Sequence, residues 1–417
     1  MTRTDWTLMR YIARPAIAAT MLLGLAGGLT AGVSAQDGPP PPPEGCTAVA
    51  TNLFGPRHIV VGEGGTLYIS ETGTGGDMPL TQPETGAAEV ATPEDGTPPP
   101  AGGAEEDAAT PAEDADSGMP PSTRGYSGQI TMIAPDGTQS VLADGFASYS
   151  DGVGPAGLIE LDGMLYVVVG GAGASVGIDQ LDGENAVFSV DPATGESTLL
   201  ADLGQYEIDN NPDGQDVNPN LYAIAAGPDG MLYVVDAGGN TVYRVDPATG
   251  DFSLELTLPT LDRLLGGEDT GTPIADAAQP PRQVVPTDIA FDADGQMTLS
   301  FLSEGWPAEA PSIVTVQDDG TLLPVANGLS AVVSIGYDPD GALYAVELST
   351  DFENSGPGAV LRVNDDGTTE PVVEGLLAPH GIAFSESGDL YVGTVALALG
   401  PGMSGGVLSC EGVAAGV

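Results

Sequence analysis

Hydrophobic and polar positions alternate in short runs along most of this chain, and each run is stopped by glycine, aspartate or proline. The stretch Leu221–Gly250, LYAIAAGPDGMLYVVDAGGNTVYRVDPATG, shows the pattern in full. LYAIAA reaches the turn Gly227-Pro228-Asp229-Gly230, MLYVVD leaves it, and NTVYRV ends in Asp246-Pro247-Ala248-Thr249-Gly250. Alternating β-branched and aromatic residues between Asp-Gly or Gly-rich turns predict strands joined by tight hairpins. A fourth strand, FSLELTL from Phe252, completes a four-stranded antiparallel meander.

The meander repeats. Its first hairpin recurs at 58–70, 157–168, 288–300, 334–346 and 381–393, which with Leu221–Asp236 makes six copies. Its second turn recurs only five times: at Pro135-Asp136-Gly137, Asp191–Gly195, Asp246–Gly250, Asp318–Gly320 and Asp365–Gly367. The sixth copy stops at its third strand, GVLSC (406–410). An orphan strand, TAVATNL (47–53), precedes the first hairpin and can supply the missing fourth strand. Pairing it beside GVLSC closes a ring and leaves no sheet edge at the joint. The predicted fold is all-β, a six-bladed propeller over 46–411. Antiparallel pairing also brings Cys46 beside Cys410, which predicts a disulfide; two unrelated thiols are the alternative.

Ahead of the propeller, Arg3, Arg10 and Arg14 precede an apolar stretch that ends Val33-Ser34-Ala35. Basic residues, a short apolar core and a small-residue site describe a secretory signal over 1–35, cleaved after Ala35. The stretch is short and broken by glycines, which disfavours the alternative of an uncleaved anchor. Export to an extracellular or periplasmic space suits a disulfide. Residues 36–45 follow as a proline-rich spacer.

Charge narrows the partners. The chain has 59 acids against nine arginines and no lysine, a formal net charge of −50. Nucleic acid and anionic membranes both demand neutralising cations, so neither is an expected partner. Much of the acidity reads as a solubility adaptation. Nothing in the sequence requires an oligomer, and a monomer is expected. Residues 78–123 are rich in Pro, Ala, Glu, Asp and Gly and contain no aromatic residue. They read as a disordered acidic insertion between the second and third strands of blade one.

Strand alternation divides the connections between two ends of the ring. Short turns occupy one end; every long connection belongs to the other, so the long-loop end is the expected ligand face. Aligning the six hairpins places Glu71, Asp236 and Glu347 at second-strand ends in alternate blades. It places Arg57, Tyr222 and His380 at first-strand starts facing the same end. Such a set could ring a channel mouth and bind a small molecule, carbohydrate or protein. The alternative is structural, with carboxylates capping nearby backbone amides. Separately, Asp209-Asn210-Asn211-Pro212-Asp213-Gly214 matches the start of a calcium loop, with Asp209, Asn211 and Asp213 as candidate ligands. The match fails at its twelfth position, Asn220, so a plain polar turn competes with it. The candidate cofactor is thus a calcium ion. No HExxH, phosphate-binding loop or nucleophile elbow accompanies these residues.

Gly55-Pro56-Arg57, the hairpin GEGGTLYISETGTGG, the run NNPDG…NPNLYAIAAGPDGMLYVVDAGGN and the closing LLAPHGIAFSESGDLYVG together resemble secreted ScyD/ScyE-type proteins. These look like relatives of the NHL and gluconolactonase-like six-bladed propellers. The resemblance implies the fold and export, and leaves the chemistry to the residues. Two functions follow. The first is a non-enzymatic binding or scaffold module that uses the long-loop face. The alternative is a divalent-metal-dependent lactone or ester hydrolase with Glu71, Asp236 or Glu347 at the metal; the gluconolactonase Glu-Asn-Asp constellation has no residue-by-residue match here. A quinone-dependent dehydrogenase is a weaker third, because cofactor-gripping lysines and histidines are scarce.

Overall fold

Six sheets radiate around one axis in a computed structural model that describes residues 41–80, 122–266, 282–303, 309–351, 356–396 and 404–414. The predicted signal lies outside the described residues, as do most of the acidic insertion and parts of several long connections. Blade three is the meander read from the sequence: Leu221–Ala226, Leu232–Asp236, Thr241–Val245 and Phe252–Thr257, each antiparallel to the next. Burial follows position in the blade. Leu232–Asp236 is buried at every residue, whereas the outermost Phe252–Thr257 alternates half-buried and exposed. Inner strands are covered on both faces by neighbouring blades, so they read as continuous apolar runs.

Blades two, four and five repeat the plan with innermost strands Pro155–Leu161, Pro286–Phe291 and Val332–Tyr337. Blade one starts on Pro56–Val61 and carries the insertion between Leu67–Glu71 and Thr123–Ile133. The insertion leaves the blade through a short ladder in which Met78 pairs with Arg124 and Pro79 with Thr123.

Closure is as expected. Cys46–Leu53 pairs antiparallel with Gly405–Cys410, with Cys46 opposite Cys410 in register, and completes the sixth sheet. The two sulfurs are bonded, tying together positions 364 residues apart. Adjacent innermost strands approach closely around the axis. At Gly381 a Cβ would lie 2.2 Å from the Arg57 carbonyl oxygen, so only glycine allows blade six to meet blade one there. Among the described residues, no helix is long and apolar enough to cross a membrane.

Candidate functional site

The axial residues owe their placement to a repeated irregularity. In five blades the innermost strand slips register against the second strand at the same level. The slips fall between Pro56 and Ile59, Pro155 and Leu158, Leu221 and Ala223, Pro286 and Asp288, and Val332 and Ser334. Such a bulge takes a residue out of the ladder and re-aims its side chain. Arg57, Ala156, Tyr222, Thr287 and Val333 all lie within these slips, and His380 occupies the aligned place in blade six.

Three of these side chains meet. Arg57 Nη1 donates to Tyr222 Oη at 3.2 Å, and Tyr222 Oη bonds His380 Nε2 at 2.6 Å. His380 Nδ1 lies 3.2 Å from the Arg57 carbonyl oxygen. A carbonyl can only accept, so Nδ1 carries the proton and Nε2 accepts from the tyrosine. The guanidinium also donates from Nη2 to the Gly152 carbonyl and lies 5.7 Å from the Tyr222 ring centroid. Arg57, Tyr222 and His380 are 2 %, 7 % and 4 % exposed. They join blades one, three and six into a buried layer, where sequence reasoning expected an open mouth. Arg57 Nε has no partner, and among the described residues no carboxylate pairs with this cation. The layer is therefore an electropositive plug at the long-loop end of the axis.

Below the plug the axis widens into a chamber of about 550 Å³. Every blade contributes to its wall, at Ile59, Leu158, Ile224, Ile289, Ile335 and Ile382 among others, and these six residues are themselves buried. His58 belongs to the lining, and Glu63, Glu160 and Asp162 line the end beside the short first-hairpin turns. The described cavity thus opens at the short-turn end of the ring. Its size falls in the range of small-molecule sites, and more polar than apolar surface faces its interior.

Desolvation lowers the pKa of both histidines. At His58 the Asp288 carboxylate opposes the shift. His380 is lowered further, by burial first and then by the charges of Arg57 and His58. A depressed histidine contributes stability that is complete above pH 6.5, its ordinary pKa, and is lost as pH falls below that value. The chain contains two histidines, so each imidazole proton resonance can be followed by NMR. Both titration midpoints should lie below 6.5, with His380 the lower. A midpoint above that value at His380 would contradict the buried layer.

The three second-strand carboxylates do not converge on the axis. Glu71 accepts from the Phe54 amide at 2.6 Å, Gln129 Nε2 at 2.9 Å and the Thr131 hydroxyl. Asp236 Oδ1 accepts amide bonds from Asn220, Gly238 and Gly239 at 2.8, 3.1 and 2.9 Å. Glu347 accepts from the Ser330 amide at 2.7 Å. In each blade the carboxylate clasps the chain as it enters the innermost strand, the capping arrangement that the sequence left as an alternative.

The 209–214 segment also differs from the expected loop. Residues Gly204–Asn210 form a short helix that ends at left-handed Asn211. This turns Asp209 outward, where it accepts from Gln205 Nε2 at 2.9 Å. Asp213 turns inward and accepts from Asn240 Nδ2 at 3.0 Å. The helix brings in Glu207, which the motif does not include. The GQYEIDN stretch was masked in sequence by the surrounding Asn, Asp and Gly residues.

No protein-family model and no curated protein sequence matches the chain. Among solved structures, it is similar to virginiamycin B lyase from Staphylococcus aureus: 14 % identity, 87 % of this chain and 99 % of that chain covered, TM-score 0.43. It is similar to a PQQ-bound aldose sugar dehydrogenase from Streptomyces coelicolor: 18 % identity, 58 % and 75 % covered, TM-score 0.39. It is also similar to a gluconolactonase from Xanthomonas campestris: 14 % identity, 61 % and 76 % covered, TM-score 0.38. At these levels the likenesses assign no activity to this chain.

Proposed function

We propose that this chain is an exported ScyD/ScyE-type propeller that binds a small organic molecule in its axial chamber without transforming it. The observation that carries this reading is the chamber itself, to whose lining all six blades and His58 contribute. The polar groups of the lining, His58 among them, offer hydrogen bonds to a small molecule. Carboxylates around the opening and the strongly acidic chain disfavour anions. The ligand class is thus a neutral small molecule that carries hydrogen-bonding groups. Binding is preferred over metal-assisted hydrolysis because Glu71, Asp236 and Glu347, the carboxylates of that alternative, do not line the chamber.

The test uses Nile red, a neutral probe that bears a carbonyl, and the anionic dye ANS. Gly336 lines the chamber, and a Cβ there would meet only the Ile382 side chain, at 3.6 Å. Gly336→Phe should fill the chamber while leaving the fold intact. Wild-type protein is expected to bind Nile red saturably at one site and to reject ANS, with Nile red affinity reduced about tenfold or more by Gly336→Phe. Equal binding to both proteins would sink the reading.

A further inference from the structure

Blade three and the helix Gly204–Asn210 carry buried oxygens that have no hydrogen-bond partner among the described residues. Both carboxylate oxygens of Glu207, the second oxygen of Asp236, and the hydroxyls of Thr241 and Tyr243 lack hydrogen-bond partners. All four residues are completely buried. Native proteins pair nearly all such groups, so an orphaned cluster of this kind calls for a partner.

These oxygens belong to one place. At Gly239 a Cβ would lie 2.9 Å from Asp236 Oδ2 and 3.1 Å from the Glu207 carboxyl carbon, so the two carboxylates flank one small residue. The charges of Asp236 and Asp213 both act on Glu207, and those of Asp236 and Glu207 act on Tyr243 beside Thr241. Asp213 is held against the same loop by Asn240. Tyr206 packs edge-on against Tyr243, with ring centroids 5.8 Å apart, and walls the cluster on one side.

We propose that Glu207, Asp236, Thr241 and Tyr243, backed by the charge of Asp213, form a binding site for one calcium ion on blade three. The donors are all oxygen, which selects a hard cation over zinc or copper. Among the described residues no three His, Cys, Asp or Glu side chains make a metal cage by themselves. Calcium suits such a mixed set, since it accepts neutral oxygens together with a small number of carboxylates in a flexible shell. Two more unpaired oxygens, Asn211 Oδ1 and Gln215 Oε1, lie on the adjoining loop. Burial and the neighbouring charges push Glu207 up to about 8, and burial pushes Asp236 and Asp213 up to about 6. The site is separate from the axial chamber and stands independently of its function.

The experiment is calorimetric titration of calcium chloride into chelator-stripped protein at pH 7.5, with thermal unfolding alongside. One saturable site is expected, with Tm raised by about 5 °C at a calcium concentration roughly a hundredfold above Kd. Glu207→Gln removes a negative donor with little change in volume. Asp236→Asn can keep its capping oxygen while losing the anionic one. Each should weaken calcium binding about tenfold or more, and the folded state of each variant is checked by circular dichroism. Binding unaffected by both variants would overturn the proposal, as would no saturable heat together with an unchanged Tm. Loss on Asp209→Asn, with Glu207→Gln unaffected, would return the ion to the 209–220 loop and equally overturn it.

Discussion

Replacing Cys410 by serine is expected to destabilise the protein by about 4 kcal/mol and lower its Tm by about 8 °C. The bond spans 364 residues, so cutting it releases almost the whole ring in the unfolded chain. A chain-entropy estimate for so long a loop gives roughly 6 kcal/mol; measured disulfides usually deliver less. The native ring should survive at room temperature, because the strands Cys46–Leu53 and Gly405–Cys410 still pair along their length. Hydrogen exchange should find those two strands opening first in the variant, ahead of every other blade. Protection lost evenly around the ring would mean that the joint is no weaker than the other blade contacts. A Tm change of under about 2 °C would show that strand pairing alone secures closure.

Glu71→Ala is expected to cost about 3–4 kcal/mol. The carboxylate is fully buried and accepts from one backbone amide, one side-chain amide and one hydroxyl. Truncation leaves all three donors unpaired in a place that water reaches poorly, and it leaves a void. Glu71→Gln keeps one acceptor oxygen and should cost less than half as much. The pair of variants separates capping from ligand binding, because a capping residue lowers stability while Nile red affinity in the folded protein stays unchanged. If Glu71→Gln abolished probe binding at full stability, the carboxylate would have to contact the ligand directly.

The hairpins, the six-fold repeat and the closing disulfide were legible because each rests on a local signal. Period-two alternation in LYAIAA and MLYVVD, Asp-Gly turns and two widely separated cysteines give the ring without any long-range information. The bulge at Arg57 and Tyr222 carried no such signal, since a one-residue slip leaves composition unchanged while it redirects a side chain. Alignment therefore grouped Arg57, Tyr222 and His380 correctly by level in the ring. It could not tell an open mouth from a closed layer. Glu207 was overlooked for a similar reason: a helix of seven residues has too little periodicity to stand out among polar neighbours. Once formed, that helix turns Asp209 outward and Glu207 inward, which exchanges the expected ligand for another carboxylate two residues away. The acidic insertion lies almost entirely outside the described residues; only its ends, 78–80 and 122–123, are placed.

The most direct test of the axial chamber is diffraction from crystals soaked with a brominated neutral aromatic ketone, with data collected at the bromine absorption edge. The account predicts an anomalous peak on the propeller axis, within the ring formed by Ile59, Leu158, Ile224, Ile289, Ile335 and Ile382, with the carbonyl oxygen directed toward His58. Peaks confined to the long-loop face above Arg57, with the chamber empty of bromine, would contradict it and move the binding site to the other side of the plug.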